Sequence, residues 1–213
     1  MNSFMKRMLP AVLALLCGFA AQADERSQAV LDRLKAKIDS FSSYEMDWKA
    51  TLDGEFQNIT GKFVVSGPRF YADVYGSELY YDGNTLYTYS RENNEVVMEE
   101  LDPGDGNILS NPTRIFRFDD SFDHVFKGNT TENGKRLLLV ELTPRTPQNL
   151  FRSVLLKVDE ATSLPVRISY NLPESEKKME LTVTRITPGV PVSAATFTFD
   201  RSKYPGVELI DFR

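Results

Sequence analysis

The single histidine of the chain, His124, lies beside three carboxylates in the segment "FDDSFDHVF". With Asp119, Asp120 and Asp123 it could form a metal cluster or an acid–base site, because imidazole and carboxylate groups bind metals and transfer protons. Such sites usually need a second histidine or a ligand-spacing motif, and the sequence has neither. We therefore interpret His124 as part of a solvated loop and predict no metal site.

Two carboxylate-rich strips, Glu99–Asp102 and Glu174–Glu176, are the other candidates for catalysis. A pair of acids could hydrolyse a glycoside if the strands brought distant carboxylates together. Both strips lie next to turn residues, however, where charge usually serves solubility. The segment "DPGDGN" also lacks the alternating acids and the final glutamate of a calcium loop. These patterns favour a protein that is not an enzyme and that needs no cofactor.

The first 23 residues have the order of a secretory signal peptide. Lys6 and Arg7 precede an apolar run, and Ala21-Gln22-Ala23 is a small-residue cleavage site. The run is about a dozen residues long, whereas a membrane-spanning helix needs ~20. We predict cleavage after Ala23, and a single domain over residues 24–213.

The only cysteine, Cys17, lies inside this leader. It could be the lipid-modified residue of a lipoprotein, but Leu15 and Leu16 stand where such signals have small side chains. If Cys17 is discarded with the leader, the mature chain has no disulfide and no thiolate site. The chain carries 25 basic and 30 acidic residues, and cleavage removes two of the basic ones. This acidic balance argues against binding to nucleic acid.

The elements that must position any site change from helix to strand near residue 44. Residues Asp24–Phe41 have apolar side chains at three- and four-residue spacings, which predicts an amphipathic helix. From Tyr44 onward the apolar period is two, with turns at Asp53-Gly54, Gly67-Pro68 and Asp82-Gly83-Asn84, which predicts consecutive antiparallel strands. Later strands are predicted in "KRLLLVELTP", "SVLLKVDEATSLPVRISYNL", "KKMELTVTRI", "TFTF" and "VELIDF".

The segment "DPGDGNILSNPTRIFRFDDSFDHVF", which begins at Asp102, interrupts the strand pattern and is predicted to contain one or two short helices. The order of elements indicates an α+β, mainly β domain. We expect a strongly curved antiparallel sheet with helices against one face.

Two segments place apolar side chains on both faces of the predicted sheet. They are "KRLLLVELTP" and the hairpin "LYYDGNTLYTY", which has four tyrosines around a tight turn. A sheet that is apolar on both sides is either covered on both sides or leaves one side for a ligand. Periodicity alone leaves open whether the helices complete a closed core or cover a cavity.

Five blocks of the sequence resemble the LolA family of periplasmic lipoprotein carriers. In chain order they are "GKFVVSGPRFYADVY", "YYDGNTLYTYS", "NPTRIFRF", "LTPR" and "AATFTFDRSKYPGVELID". The resemblance implies an unclosed, half β-barrel with an N-terminal helix and a short helical lid over an apolar cavity. It implies a monomeric chaperone in the periplasm of a Gram-negative bacterium. Its partners would be acylated lipoproteins, the inner-membrane ABC transporter that releases them and an acceptor at the outer membrane.

From this resemblance and the strand alternation we predict which side chains meet the lipid. The lid is predicted to present Ile108, Leu109, Ile115 and Phe116. The cavity wall is predicted to contain six residues from five strands: Phe63, Tyr81, Leu86, Tyr89, Leu139 and Ile168.

One position departs from the family pattern. Relatives have an arginine before the proline of the third strand, where it joins the barrel wall to the lid and keeps the empty form closed. Here Gly67 precedes Pro68, and the side chain of Arg69 is expected to point to the other face of its strand. The resemblance therefore does not carry this arginine latch over to the chain.

A second function is compatible with the same fold. A periplasmic domain that senses lipids or lipoproteins and regulates envelope signalling would have the same cavity. Such a sensor would bind a stable protein partner, whereas a carrier would release lipoproteins from membranes. An enzyme ranks third, and would depend on one of the acids or on His124.

Overall fold

Twelve strands form one continuous sheet in the computed structural model, which describes residues 25–101, 116, 122–145, 151–172 and 177–213. A helix over residues 25–39 (α1) precedes them. The strands are β1 Tyr44–Leu52, β2 Phe56–Ser66, β3 Arg69–Val74, β4 Ser77–Tyr81, β5 Thr85–Ser90, β6 Glu95–Glu100, β7 Phe122–Glu132, β8 Lys135–Pro144, β9 Ser153–Asp159, β10 Pro165–Asn171, β11 Lys178–Pro188 and β12 Glu208–Asp211. Short 3-10 turns cover Ala194–Thr196 and Arg201–Lys203.

The sheet has the order β12-β6-β5-β4-β3-β2-β1-β11-β10-β9-β8-β7. Strands β1 to β6 and β7 to β11 follow the chain as two antiparallel meanders, and the antiparallel pair β1–β11 joins them. Strands β7 and β12 lie at opposite ends of this order, so the sheet is open and does not close into a barrel. The predicted mainly β architecture with an unclosed sheet and an N-terminal helix is confirmed.

Local turn chemistry explains the hairpin between β4 and β5. The Asp82 carboxylate accepts hydrogen bonds from the backbone N–H groups of Asn84 and Thr85, both at 2.9 Å. Gly83 has a φ of 107°, a conformation that side chains with a Cβ rarely adopt. This Asx turn reverses the chain and sets the register in which Tyr81 pairs with Leu86.

Helix α1 lies against one face of the sheet, which we call the core face. Its buried stripe consists of Ser27, Val30, Leu31 and Leu34, at helical spacing. On its solvent side, Lys35 forms an ion pair with Asp39 one turn later. The helix therefore contributes an apolar stripe to the core and keeps its charged residues in water.

Rows of paired residues run across the core face. One row joins Tyr44, Val65, Phe70, Tyr81 and Leu86 from β1 to β5. A second row joins Val140, Leu156 and Ile168, each fully buried, from β8 to β10. Each large apolar side chain buried in this way contributes roughly 1.5–3 kcal/mol. The rows and α1 form one continuous cluster, the core cluster.

The opposite, outer face of the sheet is also apolar around the β4–β5 hairpin. Three of the hairpin tyrosines point there and pack against the segment that precedes β12. We call this group the outer tyrosine cluster; it consists of Tyr80, Tyr87, Tyr89, Phe199 and Tyr204. Both faces of this hairpin are thus covered, one by the core cluster and the other by the C-terminal segment.

The carboxylate of Glu78 lies at the polar end of this cluster. It accepts hydrogen bonds from the hydroxyl groups of Tyr80 at 2.5 Å and Tyr204 at 2.6 Å, and it pairs with Arg91 at 2.7 Å. Partial burial raises the pKa of Glu78, but the hydrogen bonds from Tyr204, Tyr80 and Arg91 together outweigh it and lower the pKa below 4.5. Burial and the bond to Glu78 also raise the pKa of Tyr80.

Acid is therefore expected to loosen the attachment of the C-terminal segment. Because the folded-state pKa of Glu78 is lowered, its stabilising contribution is complete above its unfolded pKa and is lost as the pH falls through the folded-state value. The difference in free energy of unfolding between the wild type and Glu78→Gln should shrink as the pH is lowered below about 4.5. Urea unfolding of both proteins between neutral pH and pH 3 measures this difference, and a difference that stays constant would contradict the assignment.

The structure differs from the sequence prediction in three places. Residues 196–199, "TFTF", form a 3-10 turn and bends instead of a strand. Strand β12 pairs with β6 in parallel, so the sheet is not wholly antiparallel. Residues 122–126 belong to β7, whereas the sequence placed them in a helical insertion; the remainder of that insertion, apart from Phe116, lies outside the described residues. Within the described part of the chain, no helix is long and apolar enough to span a membrane.

Candidate functional site

Four of the six residues predicted for the cavity wall lie together on the core face. Phe63, Tyr81, Leu86 and Ile168 all belong to the core cluster and are nearly inaccessible to solvent. The ring of Phe63 stacks on Trp48 with 5.7 Å between ring centroids. These side chains form a wide apolar wall that α1 covers.

The other two predicted wall residues point to the outer face. Tyr89 belongs to the outer tyrosine cluster, where its ring lies 4.2 Å from that of Tyr204. Leu139 is half-buried and pairs with Lys157 across β8 and β9, while its neighbour Val140 is in the core cluster. The face assignment of Tyr89 and Leu139 was therefore wrong. Because apolar residues occupy both faces of these strands, the alternation of side chains does not indicate which face is the interior.

Of the predicted lid residues, Phe116 is the one that the structure describes. It is 3% exposed and packs in the core cluster. Ile108, Leu109 and Ile115 lie outside the described residues. The lid prediction therefore rests, in this structure, on the burial of Phe116 against the core face.

A pocket of about 280 Å³ opens beside Phe116 at the C-terminal end of α1. We call it the helix-end pocket. Its lining combines rings and aliphatic side chains with one acid and one lysine: Lys35, Ile38, Asp39, Phe41, Tyr44, Val65, Gly67 and Phe116. Tyr44 and Val65 also belong to the core cluster, so the pocket gives access from solvent to the apolar wall.

Gly67 lies in a turn, and Arg69 has the orientation that strand alternation predicted. Gly67 occupies the β2–β3 turn with a φ of 58°, where a side chain would be strained, and it lines the helix-end pocket. The guanidinium carbon of Arg69 lies 5.0 Å from the ring centroid of Phe197, a buried residue of the C-terminal segment. Phe70 points to the core face, so Arg69 points to the outer face. Arg69 thus attaches the C-terminal segment, and the prediction that its side chain points to the other face of its strand is confirmed.

The structure corrects the interpretation of His124. It lies on β7, half-buried, with its Nδ1 atom 2.8 Å from the hydroxyl of Ser27 on α1. Ser27 is fully buried. His124 therefore connects the N-terminal half of the helix to the edge strand, and is not in a solvated loop.

A second pocket lies on the other side of α1, against β7 and β8, and was not predicted from the sequence. It has a volume of about 300 Å³, and we call it the arginine pocket. It is lined by Arg26, Ala29, Val30, Arg33, Phe126, Asn129, Arg136, Leu138 and Glu160. The seven-residue spacing of Arg26 and Arg33 places both on one side of the helix, but their proximity to Arg136 is visible only in the folded chain.

The arrangement suits the binding of an apolar molecule. Among the described residues, no group of three or more His, Cys, Asp or Glu side chains could hold a metal ion. The core face instead offers a continuous apolar wall that α1 covers, and side-chain packing and the Ser27–His124 hydrogen bond join the helix to the sheet. Such a site can shield a hydrocarbon chain from water.

Comparison with known proteins supports the same family. No family model matches the sequence. The outer-membrane lipoprotein carrier protein of Cupriavidus pinatubonensis is 30% identical over 162 residues, which is 70% of this chain and 74% of the relative. The protein of the same name from Cupriavidus taiwanensis is 27% identical over 208 residues, covering 91% of this chain and 93% of the relative.

A solved structure shares the fold. An uncharacterised conserved protein from Thermus thermophilus superposes with a TM-score of 0.61 at 10% sequence identity, covering 87% of this chain and 99% of the other. At this identity the likeness concerns the fold alone. The open sheet with a covered apolar face and the identity to the Cupriavidus proteins together place the chain in its family: it belongs to the outer-membrane lipoprotein carrier proteins of the LolA type.

Proposed function

We propose that this protein is a periplasmic carrier of lipoproteins, which shields their acyl chains between α1 and the core face. It would receive lipoproteins from an inner-membrane ABC transporter and deliver them to an acceptor at the outer membrane. The proposal takes the mature chain to begin at Asp24, as the signal-peptide pattern predicts. The observation that carries it is the helix-end pocket, because it connects solvent to the apolar wall beside Phe116, a buried residue that the sequence predicted to belong to the lid.

The energetics of transport explain why a carrier needs such a wall. Each methylene removed from water contributes ~0.8 kcal/mol, so a C16 chain carries on the order of 10 kcal/mol. A free lipoprotein would not cross an aqueous compartment against this free energy. A wall composed of Phe63, Tyr81, Leu86 and Ile168 can replace the membrane interior during the transfer.

The size of the helix-end pocket indicates that loading requires movement. Its volume of about 280 Å³ is just below the ~300–1,000 Å³ that is typical for small-molecule sites. A complete acyl chain therefore needs α1 and Phe116 to move away from the sheet. The acyl chain would then take the place of these covering side chains on the apolar wall.

One polar group on the wall could contact the lipid. The indole Nε1–H of Trp48 is buried and has no hydrogen-bond partner within the described part of the chain. Buried donors without a partner are rare and cost free energy. A carbonyl oxygen in the ester or amide linkage of an acyl chain would satisfy this donor when the chain is bound.

The access route is tested by a matched pair of Phe→Glu variants. Phe41 is half-buried in the helix-end pocket, whereas Phe212 is 70% exposed on the C-terminal tail. Phe41→Glu should lower lipoprotein release about tenfold or more, because a carboxylate in the path of the chain is costly to desolvate. The measurement is the amount of newly acylated lipoprotein that purified mature protein releases from spheroplasts into the soluble fraction.

The control outcomes distinguish the alternatives. Phe212→Glu should release as much lipoprotein as the wild type. If both variants released equally less lipoprotein than the wild type, the added surface charge and not the access route would be the cause. Wild-type release that is not above the level without protein would overturn the carrier proposal itself.

Trp48 provides a direct report of loading, because it is the only tryptophan of the chain and is 4% exposed. A brominated fatty acid, whose bromines quench fluorescence on contact, should quench Trp48 while soluble iodide should not. Unbrominated fatty acid of the same length serves as the control. If the brominated chain leaves the fluorescence of Trp48 unchanged although it binds, the chain does not lie on the core face.

A further inference from the structure

The arginine pocket combines positive charge with an apolar floor. Three arginines, Arg26, Arg33 and Arg136, line it together with one acidic residue, Glu160. The whole chain, in contrast, has a net charge of −5. This local excess of positive charge on an acidic protein indicates an anionic partner.

The two helix arginines are available to a ligand. Arg136 is engaged with Glu160, with 3.3 Å between its Nε atom and the carboxylate oxygen. The guanidinium carbon of Arg26 lies 6.0 Å from the ring centroid of Phe126. Among the residues that the structure describes, no carboxylate forms an ion pair with Arg26 or Arg33. Both are exposed at the rim of the pocket.

The floor of the pocket is part of the protein interior. Val30 and Leu138, 3% and 6% exposed, line the pocket and also belong to the core cluster. Phe126 packs against the same cluster. A molecule held at the rim by its anionic end would therefore extend its apolar end onto the core cluster.

We propose that the arginine pocket binds a phosphate-bearing amphiphile, that is, a lipid phosphate ester. Arg26 and Arg33 bind the phosphate, and the first carbons of the chain lie on Val30, Phe126 and Leu138. The planar fork of a guanidinium group matches phosphate oxygens in a bidentate geometry. This function goes beyond carriage of lipoproteins, because it requires a headgroup that an acyl chain alone does not provide.

Three probes separate the headgroup from the chain. Isothermal titration calorimetry measures the affinity of the mature protein for dodecyl phosphate, dodecanol and inorganic phosphate. Dodecanol has the same chain without the phosphate, and inorganic phosphate has the anionic group without the chain. We expect dodecyl phosphate to bind on the order of tenfold more tightly than dodecanol, because hydrogen bonds to charged groups contribute more than neutral ones. Inorganic phosphate should bind more weakly than dodecyl phosphate.

A matched pair of double variants assigns the effect to the pocket. Arg26→Gln/Arg33→Gln should lower the affinity for dodecyl phosphate to that for dodecanol and leave dodecanol binding unchanged. Lys49→Gln/Lys203→Gln removes the same charge from exposed sites that do not line the pocket, and should bind all three probes as the wild type does.

Each contrary result overturns the proposal. Equal affinities for dodecyl phosphate and dodecanol would show that the arginines do not bind the headgroup. Inorganic phosphate binding as tightly as dodecyl phosphate would leave a simple anion site. If the lysine variant lost as much affinity for dodecyl phosphate as the arginine variant, the effect would come from the overall charge of the protein.

Discussion

Replacing Gly61 with alanine is expected to lower the free energy of unfolding by about 3 kcal/mol, because the strand has no room for a methyl group there. A Cβ atom on Gly61 would lie 2.2 Å from the ring of Trp48 and 2.4 Å from the backbone oxygen of Asp73. Real Cβ contacts essentially never fall below 3.0 Å, so the ring, the strand or both must shift. Urea unfolding measures the loss, with Thr60→Ala on the exposed side of the same strand as control.

A second substitution tests the steric cause. In the Gly61→Ala background, Trp48→Leu removes the ring contact and leaves the contact with the oxygen of Asp73. The decrease in the free energy of unfolding of the double variant should therefore be smaller than the sum of the decreases in the two single variants. If the two losses simply add, the alanine methyl does not clash with Trp48.

Two neighbouring residues of β8 test which side of the sheet is the interior. Val140 is fully buried in the core cluster, whereas Leu139 is half-buried and pairs with Lys157 on the outer face. Val140→Asp should lower the free energy of unfolding by about 3–5 kcal/mol, because it leaves a buried carboxylate without a partner. Leu139→Asp should cost less than about 1 kcal/mol, since its carboxylate lies in solvent near a lysine.

Thermal unfolding and lipid loading should rank these two variants in the same order. Brominated fatty acid should quench the Trp48 fluorescence of Leu139→Asp as it does in the wild type. Val140→Asp should show no such quenching, because it unfolds. If Leu139→Asp prevents loading while its melting temperature is unchanged, Leu139 contacts lipid and the face assignment from the strand register must be reversed.

Much of the fold could be predicted from the sequence, because its patterns are local. The apolar stripe of Val30, Leu31 and Leu34 predicts the helix, and the hairpin turn at Asp82-Gly83-Asn84 follows from its residue types. The parallel pairing of β12 could not be predicted, because it depends on contacts between Glu208 and Glu95, far apart in the sequence.

The site could be predicted in part. The period of two correctly grouped Tyr81 with Leu86 across the hairpin, since cross-strand partners share a face. The same period did not predict that Tyr89 packs on Phe199 and Tyr204. These two residues cover the outer face of the hairpin, and they come from a segment that is distant in the sequence. The arginine pocket was not predicted for the same reason. Arg26 and Arg33 lie on one helix, but Arg136 lies on β8, which is far from that helix in the sequence.

The parallel pairing of β12 with β6 has a consequence for how the protein folds. Strand β6 has unpaired backbone groups along one edge until the last residues of the chain arrive to form β12. Contacts between such distant segments form slowly, because a long loop must close first. Until β12 forms, the edge of β6 is therefore exposed, and an exposed edge is where strands of different molecules pair. Formation of β12 is thus the step that covers the edge of β6 and ends the time in which this edge can pair with another molecule.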